Sequence, residues 1–418
     1  MRIAFFTGPF PVLSETFVLR QISYLRNRGH EVHVFPQESG TYSIIHPDLM
    51  DEELSRFVHY PSRLKENPLV RVMQALVLVF KTPSWLTKPW RNVFCRSTFG
   101  AYATNLRLFF WATPFFSAPR SFDAIISHFE TPANRAAMLR EAEVITGPHA
   151  AIFHTRYFWN VQQRVASIAR DIEMLTRLVF SSADALLPIH ECLRQTLINA
   201  GSPPENTTVM HMGAGMPTKT NIRKTSSQII LLSVCRLVEK KGVDDALQAL
   251  AQVNSNLPDW HYRIVGDGSI RDNLEQLSNR LGLAERVTFY GNASEIAVRQ
   301  HLADTDIFLA PSKTAKSGDC EGIPVSIMEA AQAGIPVIAT NHEGIPECVQ
   351  NGICGLLVKE GDVSGLADAI IKLANDAALR AGMGKAAQQH VNAEFDQETL
   401  NRRLEELLYK IAGKPSGR

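Results

Sequence analysis

Short apolar runs, many of them bounded by glycine or proline, recur along the chain and alternate with longer segments in which apolar and polar positions mix. The runs that predict strands lie within Ile3–Phe6, Glu31–Phe35, Ala124–Ser127, Ala151–His154, Ala185–Ile189, Ile229–Leu232, His261–Gly268, Val287–Gly291, Asp306–Ser312 and Ile335–Thr340. Apolar strands that alternate with helical segments are typical of parallel sheets covered by helices on both faces. The pattern therefore predicts an α/β protein with doubly wound sheets.

Breaks in this alternation divide the chain. We predict an N-terminal domain over residues 1–212, a linker over 213–227 that is rich in Gly, Lys, Thr and Ser, and a C-terminal domain over 228–392. Residues 393–418 include a charged amphipathic segment, Leu400–Ile411, which predicts a final helix. A length of 418 residues exceeds one ordinary core and agrees with two domains.

Two carboxylates eight positions apart mark the most informative segment, Glu321 to Glu329. Pro324 suits the first turn of a helix and Gly334 suits its C-cap, so a short helix is predicted between them. Glu329 then lies about five residues into the helix, or about 7.5 Å along its axis at 1.5 Å per residue. The N–H groups and dipole at the helix start favour a phosphate. The segment predicts a site for one extended phosphate-bearing ligand, and an ordinary capped helix is the alternative.

Basic and glycine-rich loops follow other predicted strands. Arg236 and Lys241 come after the strand at Ile229–Leu232, at the edge where open α/β sheets bind ligands. A guanidinium can hold phosphate oxygens through two N–H groups and an ammonium adds a point charge, so this pair can offset a diphosphate. The turn at Gly266–Gly268 allows backbone to approach a ligand but lacks the third glycine of the dinucleotide fingerprint. A solvated basic loop is the alternative.

Several motifs in this order resemble the retaining glycosyltransferases of family four, which have the GT-B fold. They are Arg236-Leu-x3-Lys241-Gly, Val265-Gly-Asp-Gly268, the pair Glu321/Glu329, Gly344-Ile-Pro-Glu347 and Asn351–Val358. Phe10–Phe17 and Asp319–Pro324 further resemble the branch that builds bacterial exopolysaccharides such as colanic acid. The resemblance implies two Rossmann-like domains that face each other across a cleft, with a C-terminal helix crossing back to the first domain.

The resemblance also implies roles for single residues. Arg236 and Lys241 would bind the donor diphosphate. Glu321 would bind hydroxyls of the transferred sugar, and Glu329 the ribose. Backbone N–H groups of the segment that follows Glu321 would surround the distal phosphate and sugar: Gly322, Ile323, Pro324 and Val325. The other donor contacts would come from Gly8, in the loop after the first strand, and from Gly266, Tyr290 and Gly291, with Tyr290 and Gly291 along the base.

His154 resembles the family histidine that faces the donor sugar. Thr155 stands where that histidine is usually followed by Gly, so a histidine of the core is the alternative. His128, after another predicted strand, is a competing candidate. Cys235 stands where the family commonly has Gly, which changes the space beside the phosphates without removing a charge.

Composition and short motifs limit which ligands and which cellular compartment we expect. A net charge of +1 gives no reason to expect nucleic acid. The six cysteines show no Cys-x-x-Cys pattern, and Asp304-Thr-Asp306 leads into a buried strand, so we predict neither a metal nor another cofactor. The N-terminus lacks the basic flank and long apolar core of a signal peptide, so we expect a cytoplasmic protein.

The region 61–120 matches the family only weakly. It carries nine Lys and Arg against one acidic residue, together with three Trp and two Phe-Phe pairs. Its longest apolar piece, Val72–Phe80, is too short to span a bilayer. Cations interleaved with aromatic residues favour a segment lying on an anionic membrane surface, which would place the protein at the inner face of the cytoplasmic membrane. Inward-packed aromatics are the second interpretation, and stacking on single-stranded nucleic acid is the third.

Together with these patterns, the resemblance implies retaining, metal-independent transfer of a hexose-type sugar from a nucleotide sugar, expected to be a UDP-sugar. The expected acceptor is a lipid-linked saccharide or an oligosaccharide in bacterial surface polysaccharide synthesis. Two alternatives stay open. One is a membrane-associated scaffold or sensor with the same fold and no turnover, and the other is a transferase for a soluble small-molecule acceptor.

Overall fold

Two parallel β-sheets organise the protein. The computed structural model describes residues 1–12, 15–40, 52–81, 88–156, 169, 172–215 and 228–415. Within these ranges the strands are β1 Arg2–Phe10, β2 Glu31–Ser39, β3 Ala124–His128, β4 His149–Phe153, β5 Ala185–Pro188, β6 Ile229–Val234, β7 Trp260–Val265, β8 Val287–Gly291, β9 Ile307–Ala310, β10 Val337–Thr340 and β11 Gly355–Val358.

Helices connect these strands. In the N-terminal part they are α1 Thr16–Asn27, α2 Glu52–Ser55, α3 Pro68–Lys81, α4 Lys88–Asn92, α5 Arg96–Phe99, α6 Ala101–Thr104, α7 Arg107–Ala112, α8 Glu130–Glu141, α9 Phe180–Ser182 and α10 Glu191–Asn199. In the C-terminal part they are α11 Val243–Val253, α12 Arg271–Arg280, α13 Glu295–Ala303, α14 Val325–Gln332, α15 Ile345–Cys348, α16 Val363–Asn375, α17 Ala377–Glu394 and α18 Gln397–Ile411. Short 3-10 turns occupy Thr113–Phe116, Pro204–Asn206 and Glu239–Lys241, and a π turn occupies Leu175–Val179.

Strand order reverses at the centre of each sheet. The first sheet has the order β2-β1-β3-β4-β5 and the second has β11-β10-β9-β6-β7-β8. The chain therefore winds outward in both directions, from β1 and β3 in the first sheet and from β6 and β9 in the second. The crevice at such a reversal, beyond the carboxyl ends of the strands, is where open α/β sheets bind ligands. The predicted α/β fold with two Rossmann-like domains is confirmed.

Two local predictions differ from the structure. β1 continues to Phe10, because residues as far as Pro9 and Phe10 pair with β2, so Gly8 lies within the strand and not in a loop after it. Helix α14 begins at Val325, with Pro324 as an extended N-cap at φ −64° and ψ 122°. Proline fixes φ near this value at either position, so its presence alone does not distinguish the N-cap from the first turn. The predicted linker lies largely outside the described residues, which resume at 228.

The final helix, α18, returns to the N-terminal domain. Leu404 and Leu408 are buried in the same apolar cluster as Ile3 and residues of α1. Glu405, on the same helix, accepts hydrogen bonds from Tyr24 Oη at 3.1 Å and from His30 Nε2 at 2.8 Å. The predicted crossing of this helix back to the first domain is confirmed.

The aromatic residues of region 61–120 pack largely inward. Trp90, Phe109, Phe110, Trp111 and Phe115 are all buried in the core on one face of the N-terminal sheet. Trp85 lies outside the described residues. The expectation that these buried rings face a membrane is therefore wrong, because they fill the space above the first sheet. Helix α3, in the same region, differs from them, because many of its apolar side chains are exposed.

Candidate active site

A small cavity opens where the strand order of the second sheet reverses. Its walls come from the ends of β6 and β9, from the turn after β6 and from the start of α14: Ser233, Val234, Cys235, Lys241, Phe308, Leu309, Ala310, Ser312, Pro324 and Ser326. An ammonium group and a helix N-terminus thus border the same space. Both features favour a phosphate group.

Glu321 forms an ion-paired cluster with two lysines beside this cavity. Its Oε2 lies 2.9 Å from Lys241 Nζ, and its Oε1 lies 3.4 Å from Lys240 Nζ. Lys240 Nζ also donates to Asp319 Oδ1 at 3.0 Å and to the Cys320 carbonyl at 3.0 Å. The lysines thereby fix the position of the loop that carries Glu321.

The charge state of Glu321 follows from these neighbours. Burial by itself raises the pKa of its carboxyl, but the ammonium groups of Lys241 and Lys240 outweigh burial and lower that pKa to about 2. The side chain is therefore an anion at neutral pH. It can accept hydrogen bonds but has no proton to donate.

Lys240 is a site residue that sequence reasoning missed. It lies in the 3-10 turn Glu239–Lys241 and its side chain is buried, whereas a pair of adjacent lysines in a loop usually indicates two solvated cations. Gly242 closes the turn with φ +63°, and a Cβ there would lie 1.8 Å from the Pro311 carbonyl oxygen. The contacts with Asp319, Cys320 and Glu321 hold Lys240 inward. The local sequence around Lys240 does not indicate these contacts.

Glu329 lies on α14, facing charged groups of both domains. Desolvation raises the pKa of its carboxyl to about 7, with Arg20 opposing the shift and Glu295 reinforcing it. Arg20, on α1, forms a salt bridge of 3.1 Å between its Nη2 and Glu295 Oε2 on α13. Arg20 was also missed, because nothing local in the sequence indicates a contact between segments this far apart. A ribose contact for Glu329 stays a prediction.

The raised pKa of Glu329 predicts a pH-dependent gain in stability for the E329Q variant. The unfolded chain releases the Glu329 proton near pH 4.5, whereas the folded chain holds it to about pH 7. The wild-type protein therefore loses stability as the pH rises through this window, and a neutral amide does not. We expect E329Q to raise the free energy of unfolding by about 1–3 kcal/mol at pH 8 and to leave it unchanged at pH 4.5. Urea titrations at both pH values measure the difference, and equal shifts at the two would contradict the assignment.

Two glycines join the ends of β7 and β8. Gly266 N donates to the Gly291 carbonyl at 2.8 Å, and both residues have positive φ. A Cβ at Gly266 would lie 1.9 Å from the Cys235 carbonyl oxygen, so only glycine fits there. Tyr290, beside them, is 45% exposed, and its ring centroid lies 4.4 Å from that of His301. The tyrosine thus offers an aromatic surface at the ligand edge of the sheet, and its contact with a base stays a prediction.

Arg236 points toward the N-terminal domain from the end of β6. Its side chain is exposed, and its guanidinium acts on the carboxyl of Glu15, just before α1. Burial raises the pKa of Glu15 to about 7, and the Arg236 charge partly opposes that shift. Arg236 and Glu15 therefore approach each other from the two domains. Glu15 was part of a sequence motif to which no individual role was assigned.

The two candidate histidines lie together in the N-terminal domain. His154 immediately follows β4, is buried, and places its Nε2 3.1 Å from His128 Nδ1. Burial holds the pKa of His154 well below its usual range, so its ring is neutral. The ring centroid of Phe129 lies 4.2 Å from that of His154. The buried ring agrees with the alternative of a histidine of the core, and its contact with a donor sugar stays a prediction.

The loop after Glu321 touches the N-terminal domain directly. A Cβ at Gly322 would lie 2.4 Å from the His154 carbonyl oxygen and 2.8 Å from Ile189 Cδ1. Ile323 is buried in the C-terminal core, and Val325 packs against apolar clusters of both domains. Gly8 contrasts with Gly322, because a Cβ there would meet open space. The predicted donor loop is therefore also a contact between the domains.

Polar contacts of the segment that follows β10 also join the two domains. Arg156 Nε donates to Glu343 Oε1 at 2.9 Å, and Glu347 accepts from His211 Nε2 at 2.7 Å and from the Glu191 backbone N–H at 2.8 Å. The motif Gly344–Glu347 thus joins the two domains, a role that its sequence did not reveal.

Metal sites and membrane spans are both lacking in the part of the chain that the structure describes. No group of three or more His, Cys, Asp or Glu side chains in these ranges is arranged to hold a metal ion. None of the described helices combines the length and the apolar character needed to cross a bilayer.

Comparisons with known proteins agree with this geometry. The family model described as glycosyl transferases group 1 matches residues 218–390, and the model described as glycosyl transferase 4-like domain matches residues 14–213. The chain is 32% identical to a putative colanic acid biosynthesis glycosyltransferase, WcaL, of Salmonella typhimurium, over 98% of this chain and 100% of the relative. It is 31% identical to the amylovoran biosynthesis glycosyltransferase AmsK of Erwinia amylovora, over 99% of this chain and 100% of the relative.

Solved structures share the fold at low identity. A crystal structure of Alr3699/HepE of Anabaena in complex with UDP and glucose has a TM-score of 0.68 and 20% identity, over 98% of this chain and 100% of the other. Sucrose-phosphate synthase of Thermosynechococcus elongatus has a TM-score of 0.69 and 17% identity, over 99% of both chains. With two family models, full-length relatives and a shared fold in agreement, the chain belongs to family four of the glycosyltransferases.

Proposed function

We propose that the protein transfers a hexose-type sugar from a UDP-sugar to a lipid-linked saccharide during synthesis of a bacterial surface polysaccharide. The transfer retains the anomeric configuration and needs no metal ion. The observation that carries this proposal is the ionised Glu321 held between two lysines beside the cavity at the switch point of the second sheet. The names of the relatives support the polysaccharide, and the UDP-bound neighbour supports the nucleotide.

Fixed cations favour departure of the diphosphate. Lys241 lines the cavity, Arg236 stands at the same edge of the sheet, and the N-terminus of α14 points at the same space. Negative charge grows on the leaving diphosphate as its bond to the sugar lengthens. Groups already oriented toward that charge stabilise the transition state without having to reorganise, and such stabilisation often contributes more to catalysis than any other effect. These cations take the place that a divalent metal would have in another architecture.

Glu321 positions the sugar. As an anion beside the cavity it accepts hydrogen bonds from sugar hydroxyls, and its low pKa excludes it as the acid that protonates the leaving group. The acceptor oxygen attacks from the face that the diphosphate leaves, and its proton passes to a diphosphate oxygen. The new glycosidic bond then has the same configuration as the bond that breaks.

The remaining donor contacts follow from the positions of Glu329 and Tyr290. The Glu329 carboxyl binds the ribose hydroxyls, and the exposed ring of Tyr290 lies along the base. The acceptor enters from the N-terminal domain, between Gly8 and the loop of Glu321. Since Gly8 borders open space, the backbone there can approach a saccharide closely.

Nucleotide binding tests this proposal. We expect UDP and UDP-sugars to raise the melting temperature of the wild-type protein, since a ligand at a hundred times its Kd adds about 2.7 kcal/mol to stability. GDP, ADP and dTDP should act more weakly. EDTA should change nothing, because the charges that bind the diphosphate belong to the protein. The E329Q variant, in which an amide NH2 replaces one of the two carboxyl oxygens that can accept from the ribose, serves as the matched control and should show a smaller shift.

Two outcomes would redirect the proposal. No stabilisation by any nucleotide, or a shift abolished by EDTA, would contradict the metal-free donor site. Nucleotide binding without hydrolysis of the donor or transfer would favour a scaffold or sensor. Where transfer occurs, the anomeric coupling constant of the product by proton NMR decides between retention and inversion, and competition between lipid-linked and soluble acceptors identifies the acceptor class.

A further inference from the structure

Helix α3, Pro68–Lys81, exposes a broad apolar face. Its exposed large side chains are Leu69, Val70, Val72, Met73, Leu76, Val77 and Phe80, and of these Leu69 is 78% exposed, Met73 67% and Phe80 81%. An apolar patch of this kind on a soluble domain usually marks an interaction site. No part of the described chain covers it.

The exposed side chains form a stripe. Leu69, Met73, Leu76 and Phe80 follow the spacing i, i+4, i+7, i+11, which at 100° per residue keeps all four within about 60° of one another. With the flanking valines the exposed apolar arc covers about 160° of the helix. The opposite side is also apolar, where Ala75 is buried in the N-terminal core and Leu78 packs against it. The helix thus packs on its domain through one apolar face and exposes a second apolar face.

Hydrogen bonds from Arg71 also fix the position of α3. The Arg71 guanidinium donates to the carbonyls of Lys65 at 2.9 Å, Glu66 at 3.2 Å and Asn105 at 3.0 Å. These contacts hold the helix against the domain, so the exposed stripe has a fixed orientation. Fourteen residues measure about 21 Å, less than the roughly 30 Å core of a bilayer, so the helix can lie in a membrane surface but not cross it.

Charge in the same region of the chain favours one kind of partner. Residues 61–120 contain nine of the 43 basic residues of the chain but one of its 42 acidic residues. Arg63, Lys65, Arg91 and Arg96 are exposed. A symmetric dimer through this face would place two such basic surfaces opposite each other, since an isologous interface uses the same patch twice. An anionic lipid surface complements both the charge and the apolar stripe.

We propose that α3 lies in the plane of an anionic bilayer, with Leu69, Met73, Leu76 and Phe80 among the acyl chains and exposed cations of region 61–120 against the head groups. This inference deepens the proposed function and rests on it in one respect. If the acceptor is lipid-linked, it is presented at a membrane, and an enzyme bound to that membrane can reach it. The membrane contact differs from the sequence-based expectation in its chemistry. Aliphatic side chains, Met and one Phe enter the lipid, while the buried aromatics belong to the core.

Vesicle binding by the full chain tests the inference. We expect the wild-type protein to co-sediment with vesicles of equal parts phosphatidylcholine and phosphatidylglycerol, and much less with phosphatidylcholine alone. The double variant M73Q/F80Q should bind the mixed vesicles at least about tenfold more weakly, because two of the most exposed apolar side chains are lost. Both positions are exposed, so the fold should persist. The matched control is I296Q, which removes a 64% exposed apolar side chain from the other domain and should leave vesicle binding unchanged.

Other outcomes overturn the inference. Failure of the wild-type protein to bind anionic vesicles, or equal binding by M73Q/F80Q, would sink it. A wild-type dimer that M73Q/F80Q converts to a monomer in size-exclusion chromatography with light scattering would assign the stripe to a second copy. UDP-induced stabilisation, measured without vesicles on the same proteins, keeps the two proposals separate. M73Q/F80Q should respond to UDP like the wild-type protein, and vesicle binding without any UDP response would remove the proposed donor while leaving the membrane surface in place.

Discussion

Replacing Lys241 with alanine lowers kcat/KM for sugar transfer by about 10²–10³-fold, the cost of removing one fixed group that stabilises transition-state charge. Lys241 combines two roles, since its ammonium lines the cavity and lies 2.9 Å from Glu321 Oε2. Its loss removes a cation from the leaving diphosphate and leaves Glu321 with Lys240 as its remaining lysine. We therefore expect a fall in kcat together with a weaker affinity for UDP.

The measurement is steady-state release of UDP, combined with titration of UDP binding. K313A is the matched control, because Lys313 is ion-paired to Asp244 and Asp245 in the same domain but is not part of the cavity wall. It should cost some stability and little activity. K240A should behave differently from both, by loosening the loop that carries Glu321. An activity of K241A within a factor of about three of the wild-type value would place the diphosphate elsewhere.

A single methyl group at Gly322 should disable the enzyme while leaving both domains folded. In the G322A variant the new Cβ would lie 2.4 Å from the His154 carbonyl oxygen, far inside contact distance, so the two domains must separate there. Displacement of about 1 Å between reacting groups can cost about 10²-fold in rate. We expect kcat to fall by about that factor, with UDP affinity largely retained because most donor contacts belong to one domain.

Small-angle scattering and activity together test this expectation. G322A should show a larger radius of gyration than the wild-type protein and a lower kcat. The control is G382A, on helix α17, where a Cβ would meet open space and alanine favours the helix. That variant should keep full activity and gain slight stability. A G322A enzyme with normal kcat would show that the observed contact does not belong to the reacting conformation.

The fold was predictable from sequence because ten of the eleven strands in the described part of the chain overlap runs that predict strands, and β11, Gly355–Val358, is the one that was missed. Individual site residues were predictable from sequence, but the contacts between them were not. Glu321 and Lys241 were each assigned to the donor from motifs, yet their ion pair depends on how two loops meet. Arg20 and Glu15 come from the other domain, and local sequence carries no information on which distant residue they face.

Region 61–120 shows that prediction from sequence is limited in the same way for a surface. Composition indicated that cations and aromatics are concentrated there, but not which of them point outward. Trp90 and Phe115 fill the core, and most of the exposed large apolar residues belong to α3, a helix with apolar side chains on both its covered and its exposed side. Periodicity identifies one apolar face when the other is polar. Where both are apolar, the neighbouring elements decide which one is covered.

Helix α18 has a consequence for how the protein is made. Leu404 and Leu408 complete the apolar cluster that holds Ile3, so β1 receives part of its packing from a helix that is synthesised after both sheets. Domains generally fold in the order of their synthesis. Here the N-terminal domain stays partly uncovered while the C-terminal domain is translated. A nascent chain of this enzyme thus exposes apolar surface of its N-terminal domain until α18 has been synthesised, which is the condition under which chaperones bind.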